Sequence, residues 1–186
     1  SKGFDYYVND DFATAHRSHT SIAAIAKRLP SYAGFLIKKE IENLSEAIKA
    51  PAEGKILVLG GAKISTKLPV IKNFVDRADK ILIGGALANN FFKAQGIKTG
   101  ASVVDDAAAP DVKSENIILP GDFITAEKGS GSDSVKLYKP PANVGMAEAI
   151  LDIGPETAEE WVEIIERSKM VIWNGPMGYF EHKDFD

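Results

Sequence analysis

The chain has 186 residues, of which 45% are hydrophobic, and a formal net charge of -4. That length and apolar content suit one full domain with a packed core plus part of another, and the acidic balance argues against general binding to nucleic acid or anionic membranes. The chain has no cysteine, which excludes disulfides and thiolate metal sites, and it has no apolar run near the ~20 residues of a membrane span, so we expect a cytoplasmic protein.

The pattern of residues 1–32 indicates the C-terminal part of a domain, and we expect the other strands of its sheet to lie outside this chain. Phe4–Val8 has the composition of a strand, and the alanine-rich segment Ser18–Leu29 predicts a short helix that Pro30 ends. The polar loop between them follows a strand end, which is where open α/β sheets bind ligands.

Arg17 in this loop is a candidate anion ligand, because its planar guanidinium suits phosphate or carboxylate, and His16 can add a hydrogen bond or a charge. Two other interpretations stay open: an Asp–Arg structural pair and helix capping by the polar residues. A metal site from Asp10, His16 and His19 is less favoured, because the spacing matches no standard signature.

The segment Ala33–Ala50 predicts an amphipathic helix that Pro51 ends. Its apolar stripe consists of Phe35, Leu36, Ile37, Ile41, Leu44 and Ile48. We expect this helix to join two domains.

The apolar run at 57–59 is followed by Gly60 and Gly61 and then by Lys63 and Lys67, which predicts a buried strand, a phosphate loop and a helix. Lysines four residues apart on a helix share one face and would converge on a polyphosphate. The alternative is an ordinary strand-to-helix turn with solvated lysines. Neither standard nucleotide-binding glycine motif is present.

Further alternation of strands and helices predicts an α/β fold with a mostly parallel sheet. The predicted elements are the strands Lys55–Leu59, Lys80–Ile83, Asn116–Leu119, Phe123–Thr125 and Met170–Trp173 and the helices Ser65–Arg77, Ala86–Gln95 and Thr157–Ser168. Residues 128–133 predict a flexible turn.

Three glycine turns follow predicted strands and would line one edge of the sheet, where a ligand crevice is expected. Besides the turn at Gly60, they are the pair Gly84 and Gly85, which could open a slot for a flat ring or only allow close packing, and the turn after Trp173. Thr157 is predicted to cap the next helix, with Glu160 as its capping-box partner.

Together the segments VNDDFATAHRSH, AGFLIKKEI, LGGAKISTK, LIGGALANNF, LDIGPET and WNGPMGYFE strongly resemble phosphoglycerate kinase. This resemblance implies two Rossmann-like domains, each a three-layer parallel sheet with helices on both faces, of which only part is present. Residues 1–32 would be the remnant of the phosphoglycerate-binding domain, 33–50 the interdomain helix, and 51–186 a truncated nucleotide-binding domain.

The implied reaction is reversible phosphoryl transfer between 1,3-bisphosphoglycerate and ADP with Mg²⁺, a step of glycolysis and gluconeogenesis, in a protein expected to be monomeric. By the resemblance, Arg17 and His16 would contact phosphoglycerate, and Lys63 and Lys67 the nucleotide phosphates, so Lys63, Lys67 and Arg17 would be catalytic. The implied nucleotide site consists of Gly61, Ala62, Lys63, Lys67, Gly84, Gly85, Val103, Leu151, Asn174, Pro176 and Glu181.

The chain departs from the family pattern at Asp11, Ala13, Thr66, Ala86 and Ile150, near both sites. The family's magnesium-binding aspartate lies in a segment after residue 186, so we expect no metal ligand here and no activity from these 186 residues alone. The competing hypotheses are a nucleotide-binding module without phosphoryl transfer and, much less favoured, a dehydrogenase, which lacks its glycine fingerprint.

Overall fold

The computed structural model describes residues 3–106, 110–127, 144–182 and the backbone of 136–138. The chain divides into two compact units, Ser1–Ala50 and Pro51–Asp186. The division falls where Pro51 was predicted to end the long helix, and that helix belongs to the first unit. The roles assigned to residues 1–32, 33–50 and 51–186 stay predictions.

The first unit begins with two short parallel strands, β1 (Tyr7–Asn9) and β2 (Ser31–Ala33). The prediction of a strand at Phe4–Val8 placed β1 too early, and β2 was missed because three residues show no periodicity. The predicted helix at Ser18–Leu29 is wrong in type and length. A π-helix covers Thr20–Ala24, and none of its residues is buried, so no packed face supports a longer helix.

Helix α1 (Phe35–Lys49) confirms the predicted amphipathic helix to within two residues. Its N-cap is Gly34, and the capping acceptor comes from Asp10, whose Oδ1 accepts from the backbone N–H of Leu36 at 2.7 Å and of Ile37 at 3.1 Å. Of the predicted apolar stripe only Ile37 is buried, and the other five side chains are exposed.

The second unit is built on a parallel sheet of β3 (Lys55–Leu59), β4 (Lys80–Ile83), β5 (Ile117–Ile118) and β9 (Met170–Asn174). The strand order in this sheet is β5-β4-β3-β9. Every residue of β3 is buried, as expected for a strand covered on both faces. The predicted bounds of β3 and β4 are confirmed.

Helices cover both faces of this sheet, which confirms the predicted three-layer α/β fold. On one face Leu57 and Ile81 pack with residues of α2 (Ile64–Phe74) and α3 (Gly85–Ala94). On the other face Val58 and Leu82 pack against Trp161 of α4 (Pro155–Glu166). No helix among the described residues is long and apolar enough to span a membrane.

A separate antiparallel sheet of β6 (Phe123–Glu127), β7 (Lys136–Tyr138) and β8 (Glu148–Ile153) has the order β7-β6-β8. The predicted alternation placed β6 in the parallel sheet, which is wrong, and β7 and β8 were missed. Local patterns could not find this sheet because β7 has only three residues and the pairing of β6 with β8 contains a register shift, so neither β7 nor β8 leaves a regular alternation. The predicted turn at 128–133 lies outside the described residues.

Thr157 does not cap α4, because the helix already begins at Pro155 with Gly154 as its N-cap. Instead Asp122, which is buried, accepts from Glu156 N at 3.1 Å, Thr157 N at 2.7 Å and Thr157 Oγ1 at 2.5 Å. A remote carboxylate therefore performs the capping that the local sequence suggested for Thr157.

Candidate functional site

The three glycine turns meet at the carboxyl edge of the parallel sheet, as the sequence predicts. Gly60 N donates to Asn174 O and Gly61 N to Pro176 O, both at 3.0 Å. Gly85, with φ +60°, approaches so closely that an added Cβ would lie 2.8 Å from Pro176 O and 3.0 Å from Gly61 N. Only backbone without side chains fits between these turns, so they form one continuous wall.

A cavity of about 240 Å³ opens on this wall. It is lined by Gly61, Ala62, Gly85, Ala86, Val103, Ala149, Ile150, Leu151, Pro176, Gly178, Tyr179 and Glu181. Seven of these residues belong to the nucleotide site implied by the resemblance. The volume is just below the ~300–1,000 Å³ of typical small-molecule sites, so it suits one end of a ligand.

Val103 reaches the cavity because two buried asparagines of α3 hold its segment in place. Asn89 Nδ2 donates to Val103 O at 3.1 Å, and Asn90 Oδ1 accepts from Asp105 N at 3.0 Å. Asn90 Nδ2 also donates to Ala86 O at 3.2 Å, which fixes the amide of Asn90 on the helix. The Val103 wall of the cavity is thereby bound to the helix that follows Gly84.

Leu151 lies at an irregularity of the antiparallel sheet that explains how consecutive residues line the same cavity. Ile124 pairs with Asp152 but Thr125 pairs with Ile150, so Leu151 is an extra residue without a partner in β6. Such a bulge bends the strand and re-aims a side chain. The freed Leu151 carbonyl accepts from Tyr179 N at 2.8 Å and ties the turn that carries Pro176 and Glu181 to β8.

Lys67 and Asn174, both predicted site residues, are in direct contact, with Lys67 Nζ donating to Asn174 Oδ1. Lys63 is exposed and is the N-cap of α2, with extended backbone. The prediction that both lysines stack on one helix face is therefore wrong, since Lys63 precedes the helix. Neither lysine lines the cavity, so the candidate phosphate end lies beside it.

Gly84 does not line the cavity either, because its Cα faces the core, where an added Cβ would lie 2.7 Å from Met177 Sδ. Its role is close packing, the alternative that the sequence left open. Sequence reasoning named Ala86 and Ile150 only as departures from the family pattern near the site, and it missed Ala149, Gly178 and Tyr179 as cavity residues. Tyr179 had one usable signal, an aromatic residue in a turn that directly follows a strand.

Asp152 follows Leu151, and burial raises the pKa of its carboxyl group above 3.8, partly opposed by the hydrogen bond from Ile153 N. This half-buried carboxyl group lies beside Gly178 of the cavity wall, where an added Cβ would lie 2.0 Å from Asp152 Cγ.

His16 and Arg17 are both exposed and lie in the first unit. The neighbouring Asp11 does not pair with Arg17 among the described contacts. It accepts from Thr14 Oγ1 at 2.5 Å, and this hydrogen bond is the main cause of its lowered pKa. Among the described residues no three histidine, aspartate or glutamate side chains are grouped to hold a metal ion.

A larger depression of about 630 Å³ lies elsewhere in the second unit, beside Lys93, Lys98 and Asp106. Lys93 and Asp106 are joined by an ion pair of 2.7 Å, and this depression contains none of the predicted site residues. We therefore assign the candidate site to the smaller cavity.

Comparison with known proteins gives one family throughout. The family model described as phosphoglycerate kinase matches residues 1–186. The phosphoglycerate kinase of Pseudothermotoga lettingae is 43% identical over 191 residues, and that of Thermomicrobium roseum is 38% identical over 190 residues.

Solved structures agree. The phosphoglycerate kinase of Coxiella burnetii superposes with a TM-score of 0.80 at 34% identity, covering 96% of this chain and 48% of that one. The enzyme of Pyrococcus horikoshii gives a TM-score of 0.79, also at 34% identity, covering 99% and 49%. For the two bacterial sequences the matched region is 97% of this chain and 48% of the relative. The chain thus spans about half the length of the relatives it matches.

Proposed function

The chain belongs to the phosphoglycerate kinase family, and from that premise we propose that a protein containing it transfers a phosphoryl group between 1,3-bisphosphoglycerate and ADP. In the ATP-forming direction the acyl-phosphate bond breaks, a terminal phosphate oxygen of ADP bonds to phosphorus, and the carboxylate of 3-phosphoglycerate leaves. The acceptor in the reverse direction is that carboxyl group. We propose a monomeric cytoplasmic enzyme.

One observation carries this proposal: an apolar cavity and a lysine–asparagine pair lie at the same edge of one sheet. Val103 and Leu151 supply apolar walls for a base, and Glu181 lines the same cavity as a candidate partner for ribose hydroxyls. Asn174 connects the edge of the sheet that carries the cavity with the lysine, since it is the last residue of β9 and its side chain contacts Lys67. An adenine nucleotide has the same division into an apolar ring and a polyanion.

Phosphoryl transfer needs little covalent chemistry from the protein and depends on alignment, exclusion of water and stabilisation of charge. Lys67 supplies positive charge from α2 and is held by Asn174, while Lys63 stands at the start of that helix. Each ammonium group would stabilise the negative charge on the transferring phosphoryl group. Arg17 and His16 would bind the anionic groups of phosphoglycerate in the first unit.

We propose that residues 33–50 serve as the interdomain helix, and that the 186 residues alone do not catalyse transfer. Magnesium would neutralise nucleotide phosphate charge. The described residues supply no acidic cluster for it, so we assign no protein ligand of the metal to them.

A calorimetric titration of the chain with ADP, with and without magnesium, tests the site. Lys67→Ala should weaken ADP binding by about 10- to 100-fold, because a hydrogen bond to a charged group is worth ~1.5–3 kcal/mol. Lys72→Ala is the matched control: it removes the same charge from the same helix, where Lys72 pairs with Asp111 at 2.9 Å. The affinity of the Lys72→Ala variant for ADP should stay at the wild-type value.

Equal weakening by both substitutions would show a diffuse charge effect and contradict the assignment of Lys67. Transfer itself is tested in a protein that includes the regions present in the relatives. ADP binding without any transfer there would favour the alternative function, a nucleotide-binding module.

A further inference from the structure

The N-terminus of the lysine-bearing helix α2 is capped by a residue 40 positions further along the chain. Asp105 Oδ2 accepts from Ser65 N at 3.3 Å and from Ser65 Oγ at 3.0 Å. Of the four α-helices in the described residues, three receive such an aspartate from elsewhere. The other two are α1, capped by Asp10, and α4, capped by Asp122.

We propose that Asp105 is a positioning residue, which holds the first turn of α2 so that Lys67 is directed at the nucleotide phosphates. This inference rests on the proposed function of the same site. Because the Ser65 N–H already donates to Asp105, this N–H is not available to a phosphate oxygen.

The sequence of α2 makes its first turn dependent on this contact. Lys63 stands at the N-cap, and its side chain makes no capping hydrogen bond. Pro69 lies inside the helix and has no N–H, so the carbonyl of Ser65 lacks its normal helical donor. Thr66 Oγ1 donates to Lys63 O at 2.9 Å, and no described backbone N–H of the turn donates to Thr66 Oγ1.

Asp105 lies in a short segment that hydrogen bonds anchor at both ends. Its N–H donates to Asn90 Oδ1 at 3.0 Å, and Ser102, three residues before it, accepts from Ile150 N at 2.8 Å. Val103, a wall of the cavity, lies between Ser102 and Asp105. One short segment therefore connects the cavity wall with the start of the helix that carries Lys67.

The direction in which nucleotide affinity changes when Asp105 is removed distinguishes a positioning role from a purely electrostatic one. If Asp105 acted only through its charge, its removal would reduce repulsion and tighten the binding of an anionic nucleotide. If it positions Lys67, loss of the acceptor should weaken binding, although a negative charge has been removed. Asparagine keeps an oxygen acceptor for Ser65 without the charge, so Asp105→Asn should bind at least as tightly as wild type.

The experiment is calorimetric titration with magnesium–ADP of the 186-residue wild type, Asp105→Asn, Asp105→Ala, Lys67→Ala and the double variant Asp105→Ala/Lys67→Ala. We expect Asp105→Ala to lose up to about 30-fold in affinity, because ADP binding must then restore a first turn that has lost its N-terminal cap, and Asp105→Asn to retain the wild-type affinity. In the Lys67→Ala background the same Asp105→Ala substitution should cost little, because its effect acts through Lys67.

Unchanged or tighter binding by Asp105→Ala, or an equal loss in both backgrounds, would overturn the positioning role. Ser65→Ala, which removes only the hydroxyl contact, should show a smaller loss and replaces Asp105→Ala if that variant does not fold. Weakening by Lys67→Ala together with wild-type binding by Asp105→Ala rejects this inference alone. No ADP binding by the folded wild type rejects the proposed nucleotide site as well.

Discussion

Gly60→Ala should damage the site wall and the stability of the second unit together. The backbone φ of Gly60 lies outside the left-handed region, so alanine faces no intrinsic strain there. The obstacle is space: an added Cβ would lie 1.9 Å from Pro176 O and 2.6 Å from Met177 Cε. One of these neighbours is backbone, so the two turns must separate.

The expected cost has two parts. Separation breaks the hydrogen bonds from Gly60 N to Asn174 O and from Gly61 N to Pro176 O, each 3.0 Å long and each worth ~0.5–1.5 kcal/mol. Overpacking adds ~1–3 kcal/mol. The sum is about 2–6 kcal/mol, and at ~2–4 °C per kcal/mol for a chain of this size it lowers Tm by about 4–24 °C.

Urea and thermal unfolding followed by tryptophan fluorescence measure this effect in the second unit, because the two tryptophans, Trp161 and Trp173, both lie there. Gly121→Ala is the matched control, since an added Cβ at Gly121 meets nothing within 4 Å and its φ is not positive. That variant should stay within about 0.5 kcal/mol of wild type. Equal Tm values for Gly60→Ala and Gly121→Ala would refute the steric argument.

Three further predictions concern polar side chains of the second unit, of which Asp122 and Thr125 are buried and Asp152 is half-buried. Asp122→Ala should lower stability by about 2–4 kcal/mol, because it leaves the N–H groups of Glu156 and Thr157 without their acceptor and leaves Thr157 Oγ1 only the longer hydrogen bond to Asp122 O at 3.2 Å. Asp122→Asn should restore part of the loss in urea unfolding. Thr125→Val should be neutral or stabilising by up to ~1 kcal/mol in the same assay, because the buried Thr125 hydroxyl has no hydrogen-bond partner in the described structure. Asp152→Asn should raise Tm at pH 7 and have little effect near pH 3.5. Burial raises the pKa of Asp152 in the folded state, so ionisation of this carboxyl group destabilises the folded state only at pH values above its ordinary pKa of 3.8.

Each of these predictions has an outcome that contradicts it. A stability loss for Asp122→Asn as large as for Asp122→Ala would show that charge, not hydrogen bonding, dominates the cap. A clear loss for Thr125→Val would reveal a partner for the hydroxyl. The same Tm gain for Asp152→Asn at both pH values would separate its effect from titration of the carboxyl group.

Local composition was sufficient to predict the strands that are buried on both faces of the sheet. Continuous apolar runs at Lys55–Leu59 and Lys80–Ile83 predicted β3 and β4 with their observed bounds, because a central parallel strand leaves a pattern independent of its partners. The glycine turns after these strands also predicted one wall of the cavity. The family followed from six motifs, five of which contain glycine.

Elements and contacts that leave no local pattern of their own could not be predicted from the sequence. The antiparallel sheet exists because Phe123–Glu127 pairs with Glu148–Ile153, and the bulge at Leu151 has no local signature. The aspartate caps are similar, since no spacing rule connects Asp105 with Ser65 or Asp122 with Thr157.

The sequence by itself therefore determined the fold class and the family, and it predicted glycine and lysine residues for the candidate site. Only the tertiary structure decided which of them share a cavity and which residues hold them there. The physical reason is range: burial and backbone strain act within a few residues and leave periodic patterns, whereas a hydrogen bond such as that from Ser65 to Asp105 joins residues 40 positions apart and depends on the folded chain to bring them together.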